Sequence, residues 1–261
     1  MNRQPSDRTI AFVIDPGIAA DGHAQVGEPS AVLDLRDGRP PTVHHVADLD
    51  GSLSDVVPAA HGWRRTVKRG MDIVGASVLL ILVSPLLLLA GIAVMLTSSG
   101  GPIFACERIG RGGRPFTMYK IRSMVEGADV LRSRYEGDNE RSGPIFKMRR
   151  DPRITRVGRV LRKLSIDELP QLVNVLRGEM SLVGPRPPLP AEYERYGKRE
   201  RQRLLMTPGM TGIWQVSGRS EVDFDEWVDM DLEYITSWSL GLDLKLLVLT
   251  IPAVLSGRGA Y

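Results

Sequence analysis

The stretch "RRTVKRGMDIVGASVLLILVSPLLLLAGIAVMLTSSGG", residues 64–101, decides the fold class because it holds a long uncharged segment inside an otherwise polar chain. No charged side chain occurs from Ile73 to Leu96, and these 24 residues are enough for a helix to cross the hydrocarbon core of a bilayer. Ser84 and Pro85 stand in its middle, where a proline removes one backbone hydrogen bond and strains the preceding turn. We therefore expect two short helices, each of about 12 residues and roughly 18 Å, joined by a break at Ser84-Pro85.

Positive charge flanks this segment at both ends. The flanking basic side chains are Arg64, Arg65, Lys68 and Arg69 before it, and Arg108, Arg111 and Arg114 after it. Basic flanks prefer the cytoplasmic side of a membrane, so both ends are expected on that side. A re-entrant helix-break-helix satisfies this condition, with the Ser84 hydroxyl able to bond a carbonyl that Pro85 leaves free. A kinked helix that spans the bilayer is the alternative that these features alone leave open.

The composition limits the chemistry that the rest of the chain can perform. Residues 1–60 carry 9 acidic and 4 basic side chains, whereas the remaining 201 residues carry 22 acidic and 30 basic ones and should attract anions. The four histidines all lie within the first 61 residues, and Cys106 is the single cysteine. Ser-His-Asp catalysis, Cys-His catalysis and the usual zinc sites are therefore excluded from the body. Its chemistry has to rest on carboxylates, Lys, Arg, hydroxyls and bound metal.

Past the uncharged segment, the pattern predicts an α+β body that is mostly helical. Two extended segments joined by "GRGG", residues 110–113, indicate a small β-hairpin, and a phosphate-binding loop is the weaker interpretation of these glycines. Residues 154–164 read as a basic amphipathic helix, and two helices are expected between residues 224 and 255. Their aromatic side chains, Trp227, Tyr234 and Trp238, are expected in the core or in the plane of lipid headgroups.

Asp167 and Glu168, in "SIDELPQLVNVLRGEMSLVGPRP" (residues 165–187), allow two interpretations. The structural one is a capping box, with Ser165 as the N-cap residue and Glu168 reaching back to its amide. The functional one is a site for a metal-bound pyrophosphate, because Arg162 precedes the pair and Arg186 follows the helix. Carboxylates hold Mg²⁺ and guanidinium groups hold phosphate oxygens, and an aspartate can itself attack phosphorus. The two interpretations are compatible.

The body resembles the bacterial monotopic phosphoglycosyl transferases. The motifs that carry the resemblance are "KRGMDIVGA", the Ser-Pro pair, "ERIGRGGRPFTMYKIRSM", "DPRITRVGRVLRKLSIDELPQLVNVLRGEMSLVGPRP", "TPGMTGIWQVSGRS" and "WSLGLDLKLLVLTIPAVLSGRGAY", which follow one another from about Lys68 to Tyr261. The resemblance favours the re-entrant topology and amphipathic interfacial helices. It implies a re-entrant membrane helix at 63–98 and a cytoplasmic catalytic domain at 99–261. Residues 1–60 lie outside the resemblance, and their scattered Pro, Gly, Asp and Ala without a sustained period indicate a disordered extension, placed at residues 1–62.

The resemblance also implies a reaction. A sugar-1-phosphate, with a hexose as the favoured sugar, would move from a UDP-sugar to undecaprenyl phosphate, with release of UMP, as the first membrane step of exopolysaccharide assembly. Asp167 matches the nucleophile that carries the phosphosugar, and Glu168 matches its acidic partner, the two also being the expected Mg²⁺ ligands. The expected substrate-binding residues are Lys120, Arg162, Arg186, Gln215 and Arg219.

The expected location is the cytoplasmic face of the bacterial inner membrane, in contact with lipid, and a homo-oligomer is left open. A non-catalytic membrane scaffold in polysaccharide assembly is the alternative function. Nucleic acid is not an expected partner, because the basic body has neither a groove-reading helix signature nor a motif of aromatic and basic residues for single strands.

Overall fold

The computed structural model describes residues 62–131, 134–135, 137, 139–140, 145–146, 148, 150–217 and 222–257. The predicted disorder of residues 1–62 therefore falls, apart from Gly62, outside the described residues. The helices and strands are α1 (Trp63–Thr97), β1 (Ile103–Ile109), β2 (Pro115–Ile121), α2 (Ala128–Leu131), α3 (Arg156–Lys163), α4 (Gln171–Arg177), β3 (Ser181–Val183), α5 (Pro190–Glu194), α6 (Lys198–Arg201), β4 (Gly209–Thr211), α7 (Ile213–Ser217), α8 (Phe224–Ser237) and α9 (Leu240–Ser256). A mostly helical α+β fold is thus confirmed.

The predicted hairpin is formed by β1 and β2, which pair in antiparallel register. The chain reverses at a single 3-10 turn, Arg111–Gly113, in which Gly112 and Gly113 have φ of 66° and 76°. Left-handed backbone of this kind favours glycine, so the two glycines suit the turn conformation. Phe104 lies opposite Lys120, and Arg108 lies opposite Phe116. These four positions share one face of the hairpin, because side chains two residues apart on a strand point the same way.

A second, parallel pair of strands, β3 and β4, lies in the main core. The chain after β3 comes very close to the start of β4, since a Cβ atom on Gly209 would lie 2.0 Å from the Gly184 nitrogen. Only glycine fits where two backbones approach so closely. Trp238 and Tyr234 are buried in this core, and Trp227 is buried in a neighbouring cluster with Phe224. The core interpretation of the three aromatic side chains is confirmed.

One helix, α1, runs through Pro85, so the prediction of two separate helices divided at Ser84-Pro85 is wrong, whereas the re-entrant course of the segment stays a prediction. The proline has no N–H to donate to the carbonyl of Ile81 four residues earlier. The Ser84 hydroxyl donates to that carbonyl instead, at 2.9 Å. One side-chain hydrogen bond therefore replaces the missing backbone bond, and the helix continues. By length and composition alone, α1 is able to cross a membrane.

Both ends of α1 contact the rest of the fold. Near its start, Lys68 Nζ lies 2.7 Å from Asp243 Oδ2 of α9, and both side chains are buried. Arg69 donates to two carbonyls at the C-terminal end of α4, and Asp72 accepts hydrogen bonds from β3. Near its end, Ala90 and Val94 are buried in a cluster that also holds side chains of β2 and α3.

The middle of α1 is exposed, and so is one stripe of α9. Between Ala76 and Ala90 no residue of α1 is buried, and Ile81 and Leu82 are 73% and 69% exposed. On α9 the exposed apolar side chains recur at helical spacing, which places them on one face: Leu244, Val248, Ile251 and Leu255. The opposite face of α9 holds the buried Asp243 and Leu246. The fold therefore presents apolar surface on two helices that are joined by the Lys68–Asp243 ion pair.

Candidate active site

The acidic pair lies in a tight connection between α3 and α4. Asp167 and Glu168 occupy a 3-10 turn, Ile166–Glu168, which follows Ser165 at φ 54° and ψ 21°. Ser165 is the one non-glycine residue with positive φ among the described residues. Its left-handed conformation turns the chain sharply after α3, and of the two acidic residues that follow, Asp167 is buried and Glu168 is partly exposed.

The predicted capping box is wrong. The Ser165 side chain makes no capping hydrogen bond, and α4 begins only at Gln171. Pro170 has no N–H to donate back to Ile166, so regular α-helical hydrogen bonding starts only after it. The Glu168 carboxylate is consequently free of a capping role and binds a side chain from another element.

That side chain is Lys120 of β2. Its Nζ lies 2.7 Å from Glu168 Oε1, with side-chain exposures of 23% for the lysine and 42% for the glutamate. Burial alone would raise the pKa of Glu168, but the charge of Lys120 and the hydrogen bond from it outweigh burial and lower that pKa. Glu168 is therefore ionised at neutral pH and holds the lysine beside Asp167.

Asp167 is in the opposite electrostatic situation. It is only 6% exposed, and burial raises its pKa to about 6, with a further increase from the neighbouring Glu168 charge. Lys120 and Arg162 act against this shift without cancelling it. Among the described residues, Lys120 forms its ion pair with Glu168, and Asp167 forms none. A desolvated carboxylate that still ionises near neutral pH is a suitable nucleophile.

Both carboxylates line a cavity of about 720 Å³ whose lining combines basic and apolar side chains. The basic lining residues are Arg108, Lys120, Arg122, Arg162 and Arg186. The apolar lining residues include side chains from the two helices with exposed apolar surface: Leu79 and Val83 of α1, and Leu247 and Val254 of α9. The cavity therefore suits a phosphate-bearing ligand that also carries an apolar part.

Six of the seven predicted site residues line this one cavity: Lys120, Arg162, Asp167, Glu168, Arg186 and Gln215. They come from β2, the last turn of α3, the 3-10 turn, the segment after β3, and α7. Arg219 lies outside the described residues. The fold thus assembles side chains that are up to 95 residues apart in the chain.

Arg186 is held in place by a buried network behind the cavity. Arg203, only 1% exposed, donates through Nη2 to the Arg186 carbonyl at 3.3 Å. Its Nε lies 2.8 Å from Asp231 Oδ2, and its Nη1 donates to the Tyr196 hydroxyl. The Arg186 guanidinium itself lies over the Trp227 ring, 5.5 Å from its centroid. The backbone that carries Arg186 is therefore bonded to a buried side chain that has two further hydrogen-bond partners.

Arg108 is a cavity residue that the sequence interpretation missed, because it was considered only as a flanking charge. It is buried, and its Nη1 donates to the Pro187 carbonyl at 3.2 Å. Burial lowers its pKa, and the nearby Arg186 charge lowers it further. Strand alternation within the hairpin could have found it, since Arg108 shares the face of Lys120 once the turn at Arg111–Gly113 fixes the register.

Four carboxylates line the cavity, and two of them, Asp167 and Glu168, are adjacent in the chain and could hold a metal ion together; the other two are Glu126 and Asp129. No group of three or more potential ligands from His, Cys, Asp and Glu exists among the described residues. Mg²⁺ is usually bound by one or two carboxylates together with waters and substrate phosphates rather than by a full protein cage. Two adjacent carboxylates in a cavity with basic lining residues therefore fit an ion that arrives with a phosphate-bearing substrate.

Comparison with known proteins identifies the family of the chain. Residues 63–257 match the family described as bacterial sugar transferase. The chain is 46% identical over 199 residues to the galactosyl transferase CpsE of Streptococcus agalactiae, covering 74% of this chain and 43% of the relative. It is 44% identical over 198 residues to the exopolysaccharide production protein ExoY of Rhizobium meliloti, covering 74% and 88%.

A third relative is the UDP-glucose:undecaprenyl-phosphate glucose-1-phosphate transferase of Caulobacter vibrioides, 43% identical over 205 residues, with coverage of 74% of this chain and 72% of the relative. The match spans less than half the length of some relatives, such as CpsE. The family match nevertheless includes every cavity residue named above, since all of them lie within residues 63–257. The predicted family is confirmed, and the chain belongs to the bacterial sugar transferases.

Proposed function

We propose that this protein transfers a hexose-1-phosphate from a UDP-sugar to undecaprenyl phosphate, releasing UMP, as a membrane step of exopolysaccharide assembly. The observation that carries the proposal is the cavity that the buried Asp167 lines together with both basic and apolar side chains. One substrate is a hydrated nucleotide-sugar and the other is a phosphate on a long apolar chain. A single site that serves both needs these two kinds of surface around one nucleophile.

The names of the relatives support the substrate classes. CpsE is called a galactosyl transferase, and the Caulobacter vibrioides relative is named for UDP-glucose and undecaprenyl phosphate. Both names point to hexoses, which agrees with the hexose favoured by the sequence. Galactose and glucose are therefore the first sugars to test.

The reaction proceeds in two displacements at the sugar-proximal phosphorus. An Asp167 carboxylate oxygen forms a bond to that phosphorus, the bond to the bridging oxygen breaks, and UMP leaves with the electron pair. A phosphate oxygen of undecaprenyl phosphate then attacks the same phosphorus, and the bond to Asp167 breaks. The aspartate is regenerated, and the lipid diphosphate-sugar is the product.

The residues around Asp167 contribute charge and position. Lys120, Arg162 and Arg186 provide positive charge for the phosphate oxygens, and Gln215 lines the same cavity. Glu168 keeps Lys120 beside the nucleophile through their 2.7 Å ion pair. The adjacent carboxylates fit a Mg²⁺ ion carried by the substrate, which when bound would neutralise part of the phosphate charge.

The contacts of α1 support a re-entrant helix, and the basic side chains that flank the uncharged segment favour the cytoplasmic face of the membrane. A helix that spans the bilayer separates its two ends by the ~30 Å hydrocarbon core. Here Lys68 at one end and Val94 at the other both pack against the same folded body. Both ends therefore belong on one side, so α1, although helical throughout, has to bend in its middle, as helices do at proline. The exposed middle of α1 and the apolar stripe of α9 would then face lipid.

The test is release of UMP from a panel of UDP-sugars, in the presence of undecaprenyl phosphate and Mg²⁺, by the full chain in detergent. The proposal predicts turnover with one of the UDP-hexoses and none in the Asp167→Asn variant. Asp225→Asn, which changes an exposed carboxylate of α8, is the matched control and should keep full turnover. Turnover of Asp167→Asn at the wild-type rate would contradict the assignment of the nucleophile.

A further inference from the structure

A second cavity, of about 280 Å³, lies at the start of α1. Its volume is roughly nine times the ~30 Å³ share of one liquid water, which leaves room for a phosphate group with a small substituent. The residues that line it are Arg65, Lys68, Arg69, Asp72, Arg111, Gly178, Met180, Leu205, Met206 and Thr207. None of them lines the cavity of Asp167. The two cavities are therefore separate sites.

The charges in this second cavity are only partly compensated. Lys68 is paired with Asp243, and Arg69 is bonded to carbonyls of α4. Asp72, the one acidic residue of the lining, accepts hydrogen bonds from the Ser181 hydroxyl and the Leu182 amide. Arg65 and Arg111 remain, and within the described part of the chain neither forms an ion pair.

Arg111 is the more confined of these two cations. It belongs to the hairpin turn, and its Nε donates to the Leu205 carbonyl at 3.1 Å, which holds the guanidinium at the cavity wall. Burial lowers its pKa, and the nearby Arg65 charge lowers it further. Two cations that repel one another across a cavity would both be stabilised by an anion placed between them. Arginine is the side chain best suited to bind phosphate oxygens, because it presents several donors in a planar fork.

The location of this cavity points to the membrane surface. The cavity residues Arg65, Lys68, Arg69 and Asp72 recur at helical spacing on one face of α1. The uncharged segment begins at Ile73, which lies only about 12 Å along the helix from Arg65. Basic pockets beside a membrane segment on the cytoplasmic side are suited to anionic lipid headgroups.

We propose that this basic cavity binds a phosphate group outside the active site, and that Arg65 and Arg111 are the residues that contact it. The phosphate would be carried by an anionic phospholipid headgroup or be a soluble phosphate. The bound phosphate bridges α1 and the β1–β2 turn. Since α1 and the hairpin also supply lining residues of the active-site cavity, Leu79 and Val83 from α1 and Lys120 from β2, occupancy would stabilise the arrangement around Asp167. A ligand of this cavity therefore needs one phosphate group whose negative charge is not neutralised by another part of the same molecule.

The test is isothermal titration calorimetry on the full chain in a neutral detergent. The probes are dihexanoyl-phosphatidylglycerol and, in a separate arm, inorganic phosphate. Arg65→Glu places a carboxylate beside Arg111 and should weaken phosphate binding by about tenfold or more. Arg64→Glu is the matched control, because Arg64 is exposed on the neighbouring position of α1 and does not line the cavity. It should change binding by no more than about twofold.

A second pair of variants tests the proposal independently, in case Arg65→Glu does not fold. Arg111→Gln removes the cation of the hairpin turn, and Arg114→Gln removes an exposed cation three residues away that is not part of the cavity. Binding should weaken in Arg111→Gln and persist in Arg114→Gln. Circular dichroism and thermal unfolding establish that each variant is folded.

The two probes separate the sources of the phosphate. Arg65-dependent binding of phosphatidylglycerol that inorganic phosphate does not match identifies a lipid headgroup site, and equal binding of both identifies a soluble phosphate site. Three outcomes would overturn the proposal: neither probe binds, Arg65→Glu binds as the wild type does, or Arg64→Glu weakens binding as much as Arg65→Glu. If the probes bound in the active-site cavity instead, Arg65→Glu would bind them as the wild type does. The readout needs no turnover, so it is independent of the proposed reaction.

Discussion

Replacing Asp167 with asparagine should stabilise the fold above pH 6 while it abolishes turnover. Burial raises the pKa of Asp167 from 3.8 to about 6, so the folded protein holds a proton on this carboxyl more tightly than the unfolded chain does. Between these two pKa values the folded state binds more protons, and its stability falls as the pH rises. Above pH 6 the full free-energy cost of ionising the buried carboxyl is present.

The magnitude follows from the shift in pKa. Each unit corresponds to about 1.36 kcal/mol, so the shift from 3.8 to about 6 destabilises the folded state by about 3 kcal/mol above pH 6. No reduction for solvent screening is needed, because the residue is only 6% exposed. Asparagine is close in shape and carries no charge to bury. For a chain of this size, about 3 kcal/mol corresponds to a rise of roughly 6–12 °C in the midpoint of thermal unfolding.

The assay is thermal unfolding of the wild type and the variant in the same detergent, at about pH 8 and at about pH 4, without substrate. The stabilisation should be present at the higher pH and nearly absent at the lower one, where the wild-type carboxyl is protonated. Asp225→Asn is the control, because its exposed side chain should shift the midpoint at neither pH. An Asp167→Asn variant that is less stable than the wild type at about pH 8 would refute the reasoning, since Asp167 would then be stabilised as an anion.

Further predictions concern the neighbours of Asp167 and the framework that holds them. Lys120→Met should raise the pKa of Asp167 further, shift the acidic limb of the pH–activity profile upward and lower turnover by about 10- to 100-fold, as measured by UMP release. Lys68→Met should lower the free energy of unfolding by about 3–5 kcal/mol, because it leaves a buried aspartate without its cation. Gly209→Ala should destabilise by about 3 kcal/mol, because its methyl group would meet backbone 2.0 Å away, whereas Gly70→Ala, in open space on α1, should stabilise by about 1 kcal/mol.

Each of these predictions has an outcome that would contradict it. An unchanged acidic limb in Lys120→Met would mean that the lysine does not act on the pKa of Asp167. Wild-type stability in Lys68→Met would mean that α1 is not tied to α9 by the ion pair. Equal effects of Gly209→Ala and Gly70→Ala would mean that β3 and β4 do not approach as closely as the structure has them.

Local sequence patterns predicted the parts of the fold that depend on neighbouring residues. The glycines at 110–113 predicted the hairpin turn because only a few residue types tolerate left-handed backbone. The helical pattern of residues 224–255 predicted α8 and α9, because the spacing of apolar side chains along a helix is also a local property. The site residues were predicted from the motifs of the family resemblance, and the six that the structure describes line a single cavity.

Contacts between side chains that are far apart in the chain could not be predicted from the sequence. Lys68 and Asp243 are 175 positions apart, and Arg203 and Asp231 are 28 apart, so no local pattern relates them. The capping box failed because Pro170 delays the start of α4, and the partner that Glu168 takes instead, Lys120, is 48 positions away. The local hydrogen bond from the Ser84 hydroxyl was, by contrast, expected from the sequence, although the continuation of α1 through Pro85 was not.

The most direct measurement of the central claim is to trap the protein during turnover and to locate the modification. The full chain would be mixed with its UDP-sugar and Mg²⁺ without undecaprenyl phosphate, quenched in acid, digested and analysed by mass spectrometry. The account predicts a phosphosugar on Asp167, lost when undecaprenyl phosphate is added before the quench and absent from Asp167→Asn. A phosphosugar on Glu168 or on any other side chain, or turnover with no adduct, would contradict it.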